Sequence, residues 1–229
     1  MMVIVLTVCG LFFAIYINSR AHALKAQRAA TERMESSHNV KAIALALLAY
    51  EAEHGEFPPA FTVDANGNRL HSWRTLLLPY LDENELYKRI DLSKPWDDPA
   101  NIAAREAVVS FYHCPSDTHD KQITRYFVVV DDAGIMTGCI PTKMSDITDT
   151  RYSTLLVVEG RLTQQAHWME PKDLTSSDFV DIHPRGSTKT LHAGSVVVAT
   201  ASGDVIFITD SMSADERYAR ITKSGNEKF

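Results

Sequence analysis

The densest set of potential ligands in the chain is His113-Cys114, followed by Asp117 and His119. Zinc favours His and Cys at such short spacing. A structural zinc site also needs a second pair, and none is evident; Pro115, directly after Cys114, marks the segment as a turn. As a nucleophile Cys114 would need a base and an orienting group from elsewhere, and no pattern singles these out. Asp131-Asp132 and Asp146-x-x-Asp149 offer oxygens to calcium, without the spaced ligands and obligate glycine of an EF-hand loop. Acidic turns and a helix cap are the expected roles. His167, His183 and His192 are scattered, with surface or hydrogen-bonded core roles as the default. The nucleophile elbow, zincin, phosphate-loop and dinucleotide fingerprints are absent. These residues point away from an enzyme and imply no metal or cofactor.

Cys114 and Cys139 lie 25 positions apart and flank a β-branched stretch. Two readings stand. With the body outside the cytoplasm they form a disulfide, adding about 3.5 kcal/mol on the loop-entropy model. Otherwise they are two buried thiols, each a small hydrophobe. Cys9 sits in an apolar run and is expected to be inert.

The elements that would position these residues begin with a long helix. Residues 1–19 carry no Asp, Glu, Lys, Arg or His, and the run through Ile17 is almost wholly apolar. A transmembrane helix needs about 20 such residues. Tyr16 suits an aromatic belt, Arg20 a snorkelling flank, and Gly10 allows a second helix to approach. A cleaved signal peptide would have a basic start and a small-residue exit, and neither is present. Residues 1–19 are therefore expected to be an uncleaved anchor, with membrane lipid as a partner. Arg20, Lys25, Arg28 and Arg33 all follow the run, which by charge alone favours a cytoplasmic C-terminal side.

No helix breaker separates Leu11 from His54, and 21–53 is rich in helix formers. Val40, Ile43, Ala44, Leu47 and Leu48 form one apolar stripe. Gly55 and Pro58-Pro59 end the helix. A helix from Val3 to His54 would be about 78 Å long: an anchor, then a spine over 20–56, then a body over 57–229. Phe57 to Leu70 reads as a loop, with turn chemistry at Asp64–Asn68. Asp82 with Glu85 resembles a capping box for a helix through Ile90. Asp98-Pro99 starts a helix over Ala100–Val109. Strands are expected over Thr124–Val130, Ser153–Val158, Gly194–Ala201 and Asp204–Thr209, the last two joined by a Ser202-Gly203 turn. Ser213 with Glu216 caps a terminal helix over Ala214–Thr222. Helices first and strands afterwards argue for an α+β fold with an antiparallel sheet.

Composition sets the outer bounds. The chain has 229 residues, 45% hydrophobic and 23% charged, as in a globular protein with an ordinary core. Lys+Arg 23 against Asp+Glu 29 gives a net charge of -6. An acidic balance argues against nucleic acid, whose binding needs a basic face.

Several segments together resemble a large bacterial family of unknown function. They are Arg33–Leu47 continuing to Tyr50 and Gly55–Ala60; Ser72-Trp73-Arg74 with Leu76–Leu81; and Pro95-Trp96-Asp97. Cys114–Asp117, Ser145–Asp149, Leu156–Glu159 and Glu170–Leu174 extend the likeness, which reaches the C-terminal hairpin and final helix. Members of that family carry a prepilin-type N-terminal helix and end in a His-x9-Asp-Gly signature. Here the signature falls on His192, Ser202 and Gly203, so serine replaces the usual Asp, while Asp204 follows the glycine. The basic leader and Gly-Phe-Thr-Leu-Ile-Glu site of the family are not present in this sequence, so processing and filament entry by the usual route are not expected. The resemblance implies a pilin-like fold and a body outside the cytoplasm, against the charge count: a single-pass inner-membrane protein with a periplasmic body. It implies a pseudopilin-like structural or interaction role, with self-assembly or secretion-system components as partners. The alternative is an extracytoplasmic binding protein for a small solute or glycan, with Trp73, Trp96, Tyr80 and Trp168 as stacking surfaces.

Overall fold

The computed structural model describes residues 2–117, 120–182, 195–209 and 211–225, and for residues 2–14 the backbone alone. Helix α1 runs unbroken over Met2–His54, as its helix-forming composition predicts. It is exposed from Ile15 through Thr31 and enters the body at Ser36. Val40, Ile43, Ala44 and Leu47 are fully buried, and Leu48 packs beside them. Each large aliphatic in such a stripe contributes roughly 1.5–3 kcal/mol. The anchor expected over residues 1–19 rests mostly on 1–14, whose side chains lie outside the described residues. Among the described residues no helix is long and apolar enough to cross a membrane.

The body is α+β. Strands β1 (Phe61–Val63) and β2 (Arg69–Ser72) form a hairpin inside the segment expected to be a loop. The turn chemistry there serves it: Asp64 Oδ1 accepts the Asn66 and Asn68 amides, both at 2.8 Å. Short helices α2 (Trp73–Leu76) and α3 (Asn84–Tyr87) follow, with a 3-10 turn over Leu78–Leu81 between them. The Asp82–Glu85 capping box is not formed. Asp82 instead adopts a left-handed conformation (φ 60°) and closes the 3-10 turn. Asp98 does cap at its expected place, accepting the Ala100 amide at 2.9 Å, and leads into α4 (Ile102–Arg105).

Thr124–Val130 is not one strand. It breaks into β3 (Ile123–Thr124), β4 (Tyr126–Phe127) and β5 (Val129–Val130). The remaining strands are β6 (Leu155–Glu159), β7 (Ala166–His167), β8 (Leu174–Thr175), β9 (Val196–Thr200) and β10 (Val205–Ile208). Helix α5 (Ser176–Val180) follows β8, and α6 (Ala214–Ala219) follows β10. The central sheet has the order β10-β9-β6-β4 and is antiparallel throughout. Beside it β3 pairs antiparallel with β7, and β5 pairs parallel with β8.

Strands β6 and β9 are buried along their whole length. Continuous apolar strands of this kind need cover on both faces. On one face Val157, Val197 and Ala199 join the α1 stripe. On the other, Val158, Val196 and Val198 pack with Phe179, Ile182 and Ile221. A register shift between Leu155 and Val157 accounts for Leu156 and Val157 sharing one core.

The Ser202-Gly203 turn joins β9 to β10 as expected. Gly203 has φ +81°, and a Cβ there would stand 3.3 Å from Leu45 Cδ2 and Leu48 Cδ1 of α1. Gly67 has a similar φ, +83°, with nothing within 4 Å. The pair separates backbone strain from packing. Gly67→Ala is expected to cost about 1–2 kcal/mol for the left-handed conformation alone. Gly203→Ala should cost about 2–3 kcal/mol, because the Leu45 and Leu48 methyls must also give way. Urea unfolding of both variants checks this; equal losses would show that those side chains yield freely.

Candidate functional site

Three buried polar sets hold the body together. The first lies under α1. Ser36 donates to the Glu159 carboxylate in a very short hydrogen bond and sits 3.0 Å from the Tyr126 hydroxyl. The Cys114 thiol is 3.7 Å from the same carboxylate oxygen. All four side chains are at most 1% exposed. Asn39, one turn along α1, donates to the His113 carbonyl at 3.1 Å. Burial, then the charge of Glu159, push the Cys114 thiol up to about 12. A thiol held protonated is a donor, not a nucleophile. Burial drives the Tyr126 hydroxyl well above its ordinary value too, with Cys114 and Glu159 adding to the shift.

The second set centres on Arg74 and Asp173, paired at 2.8 Å with side chains 0% and 3% exposed. Asp173 Oδ1 also accepts from Trp73 Nε1 at 3.0 Å and the Val128 amide at 3.1 Å. Arg74 donates to the Tyr126 carbonyl through Nε and Nη2, at 3.0 and 2.9 Å, and to Ser72 Oγ at 2.7 Å. Burial raises the Asp173 carboxyl, with the Arg74 charge opposing. In the third set Arg125 Nε meets Asp117 Oδ2 at 2.8 Å, and Nη1 reaches the Leu162 and Gln164 carbonyls at 2.7 and 3.0 Å.

The potential ligands of that segment go separate ways: Cys114 turns to Glu159, Asp117 to Arg125, and His119 lies outside the described residues. Among the described residues no group of three His, Cys, Asp or Glu is placed to hold a metal ion. Asp131 accepts the Ala133 amide, and Asp146 the Lys143 amide, both at 2.9 Å. Asp132 and Asp149 stand apart from these bonds: the Asp132 carbonyl accepts from Lys223 Nζ at 3.0 Å, and Asp149 Oδ2 accepts the Gly225 amide at 2.7 Å. His167 Nε2 lies 3.1 Å from the Arg105 carbonyl, and burial lowers its pKa. His183 and His192 lie outside the described residues. At the β9–β10 turn Ser202 Oγ donates to Asp204 Oδ2 at 2.8 Å.

The Cys114–Cys139 disulfide is not formed; both thiols are free, Cys114 buried and Cys139 exposed. Cys114 sits level with Ser36 of α1. The loop carrying Cys139 is tied to the segment that follows α1: the Ala60 amide donates to the Gly138 carbonyl and the Phe57 amide to the Thr142 carbonyl. Of the proposed stacking surfaces, Trp73 and Trp168 are core residues, 0% and 1% exposed. Trp96 is half-buried against His167, at 5.1 Å. Tyr80 alone opens into a cleft.

The fold and these sets define an α+β body assembled on a protruding helical spine and locked by buried charges. Residues 25–186, well over half the chain, match a family described as protein of unknown function (DUF1559), and the chain belongs to that family. No curated protein and no solved structure matches the chain.

Sequence reasoning missed Tyr126 and Arg125 as site residues. The signal for Arg125 was a charge inside an apolar stretch, which a packed strand tolerates only when paired. Arg74→Met is expected to cost about 3–5 kcal/mol by leaving Asp173 buried and unpaired, and adding Asp173→Leu should recover part of that loss. A double-mutant cycle by urea unfolding measures it; additive losses would mean that the pair is not coupled.

Proposed function

We propose that this protein is a membrane-anchored, pseudopilin-like structural or interaction protein that carries an extracytoplasmic body on a helical spine. The unbroken helix from Met2 to His54 is the observation that supports it. Its last third is packed against the body, and residues 15–31 stand free of it. The apolar run before Tyr16 would lie in lipid of the inner membrane, as a single pass. The exposed length of α1, with Ile15, Ile17, Leu24 and Met34 at least half exposed, would be the surface for other helices. Such a rod meets pilin-like copies or secretion-system components side by side, with packing of the kind that small residues such as Gly10 permit.

The free cysteines provide a test of the topology. Cys139 is exposed and Cys114 is buried with its thiol pushed up to about 12, so only Cys139 should react with a membrane-impermeant maleimide. In spheroplasts the wild type is expected to label without lysis, and Cys139→Ser to lose that label. Labelling that appears only after lysis would place the body in the cytoplasm and overturn the proposal.

A further inference from the structure

We propose that the cleft at the C-terminal end of α1 binds a small organic ammonium ion. Tyr50, Glu53 and His54 project from the last turn of α1, Tyr80 from the following 3-10 turn, and Asn84 and Tyr87 from α3. Together they line a cleft of about 570 Å³, within the range of small-molecule sites. The Tyr50 and His54 rings lie 4.1 Å apart, and Tyr80 stands edge-on to Tyr50 at 5.7 Å. Each aromatic wall therefore rests on regular structure.

The polar groups select the charge of the ligand. The Tyr80 hydroxyl donates to Glu53 Oε2 at 2.9 Å. Its proton being committed, the oxygen accepts from His54 Nε2, 3.1 Å away, which fixes the imidazole tautomer. Both donors thus run toward the carboxylate. The cleft is lined by π faces, the Glu53 carboxylate, the Tyr50 and Tyr87 hydroxyls and the Asn84 amide, and no Lys or Arg lines it. The electrostatics agree: burial and Glu53 push the Tyr80 hydroxyl up to about 12, and burial, Tyr87 and Glu56 raise Tyr50. Ring faces beside a carboxylate attract a cation within about 6 Å of a ring centroid. The cleft lies about 57 Å from Tyr16 along α1, so this inference is independent of the anchor.

Choline is a suitable probe, with 3,3-dimethylbutan-1-ol as its neutral isostere and glucose as a neutral sugar. Calorimetric titration of the full chain in non-ionic detergent should give saturable choline binding with a Kd of about 1 mM or tighter. The isostere is expected to bind at least about 10-fold more weakly, and Glu53→Gln to weaken choline by a similar factor. Tyr50→Leu supplies a second variant that removes a ring and keeps the charge; it should weaken choline at least about 5-fold. Wild-type melting of either variant confirms its fold. No saturable choline binding up to about 20 mM, equal binding of the isostere, or glucose bound in its place would overturn the inference.

Discussion

One constraint organises the molecule: the apolar stripe of α1 from Val40 to Leu47 must be covered, and the body is what covers it. The sheet lies against that stripe through Val157, Val197 and Ala199. The β9–β10 turn passes Leu45 and Leu48 so closely that a Cβ at Gly203 would stand 3.3 Å from each. Phe57, just past the helix end, is buried in the same core. Helix nucleation is the costly step, and once it is made each added residue extends the helix cheaply. A docked half thus supplies the nucleus for residues 15–31, which are exposed. Rod and body are for this reason a single cooperative object.

The buried charges answer a different problem. Much of the body is irregular, with strands of two residues and short helical turns. Its backbone carbonyls must be satisfied without long ladders. Arg74 serves the Tyr126 carbonyl, and Arg125 serves those of Leu162 and Gln164. Asp173 and Asp117 hold the two guanidiniums in place. A buried ion pair stabilises little in itself. Here its guanidinium stands in for hydrogen bonds that a regular sheet would have made.

The parts legible in the sequence were those governed by local rules. Helix composition and breakers gave α1, its stripe gave the buried face, and Ser213-Glu216 form a reciprocal cap at 3.1 and 2.7 Å. The Ser202-Gly203 hairpin followed from turn chemistry. What failed depended on distant partners. The stretch 124–130 has strand composition throughout, yet the Val128 amide goes to Asp173, 45 residues away. Cys114 and Cys139 flank one β-branched stretch in sequence, yet one thiol is buried against Glu159 and the other is exposed. The aromatic cleft joins α1 to residues about thirty positions on, a proximity that no spacing rule encodes.

The central claim, one continuous rod rooted in the body, is tested most directly by a spin-label distance along α1. Labels on cysteines at the exposed positions Leu24 and Ala52, with the native cysteines replaced, should give one narrow distribution near 42 Å in detergent-solubilised full chain. A broad distribution, or one centred below about 30 Å, would mean that the helix breaks before it reaches the body and would contradict the account.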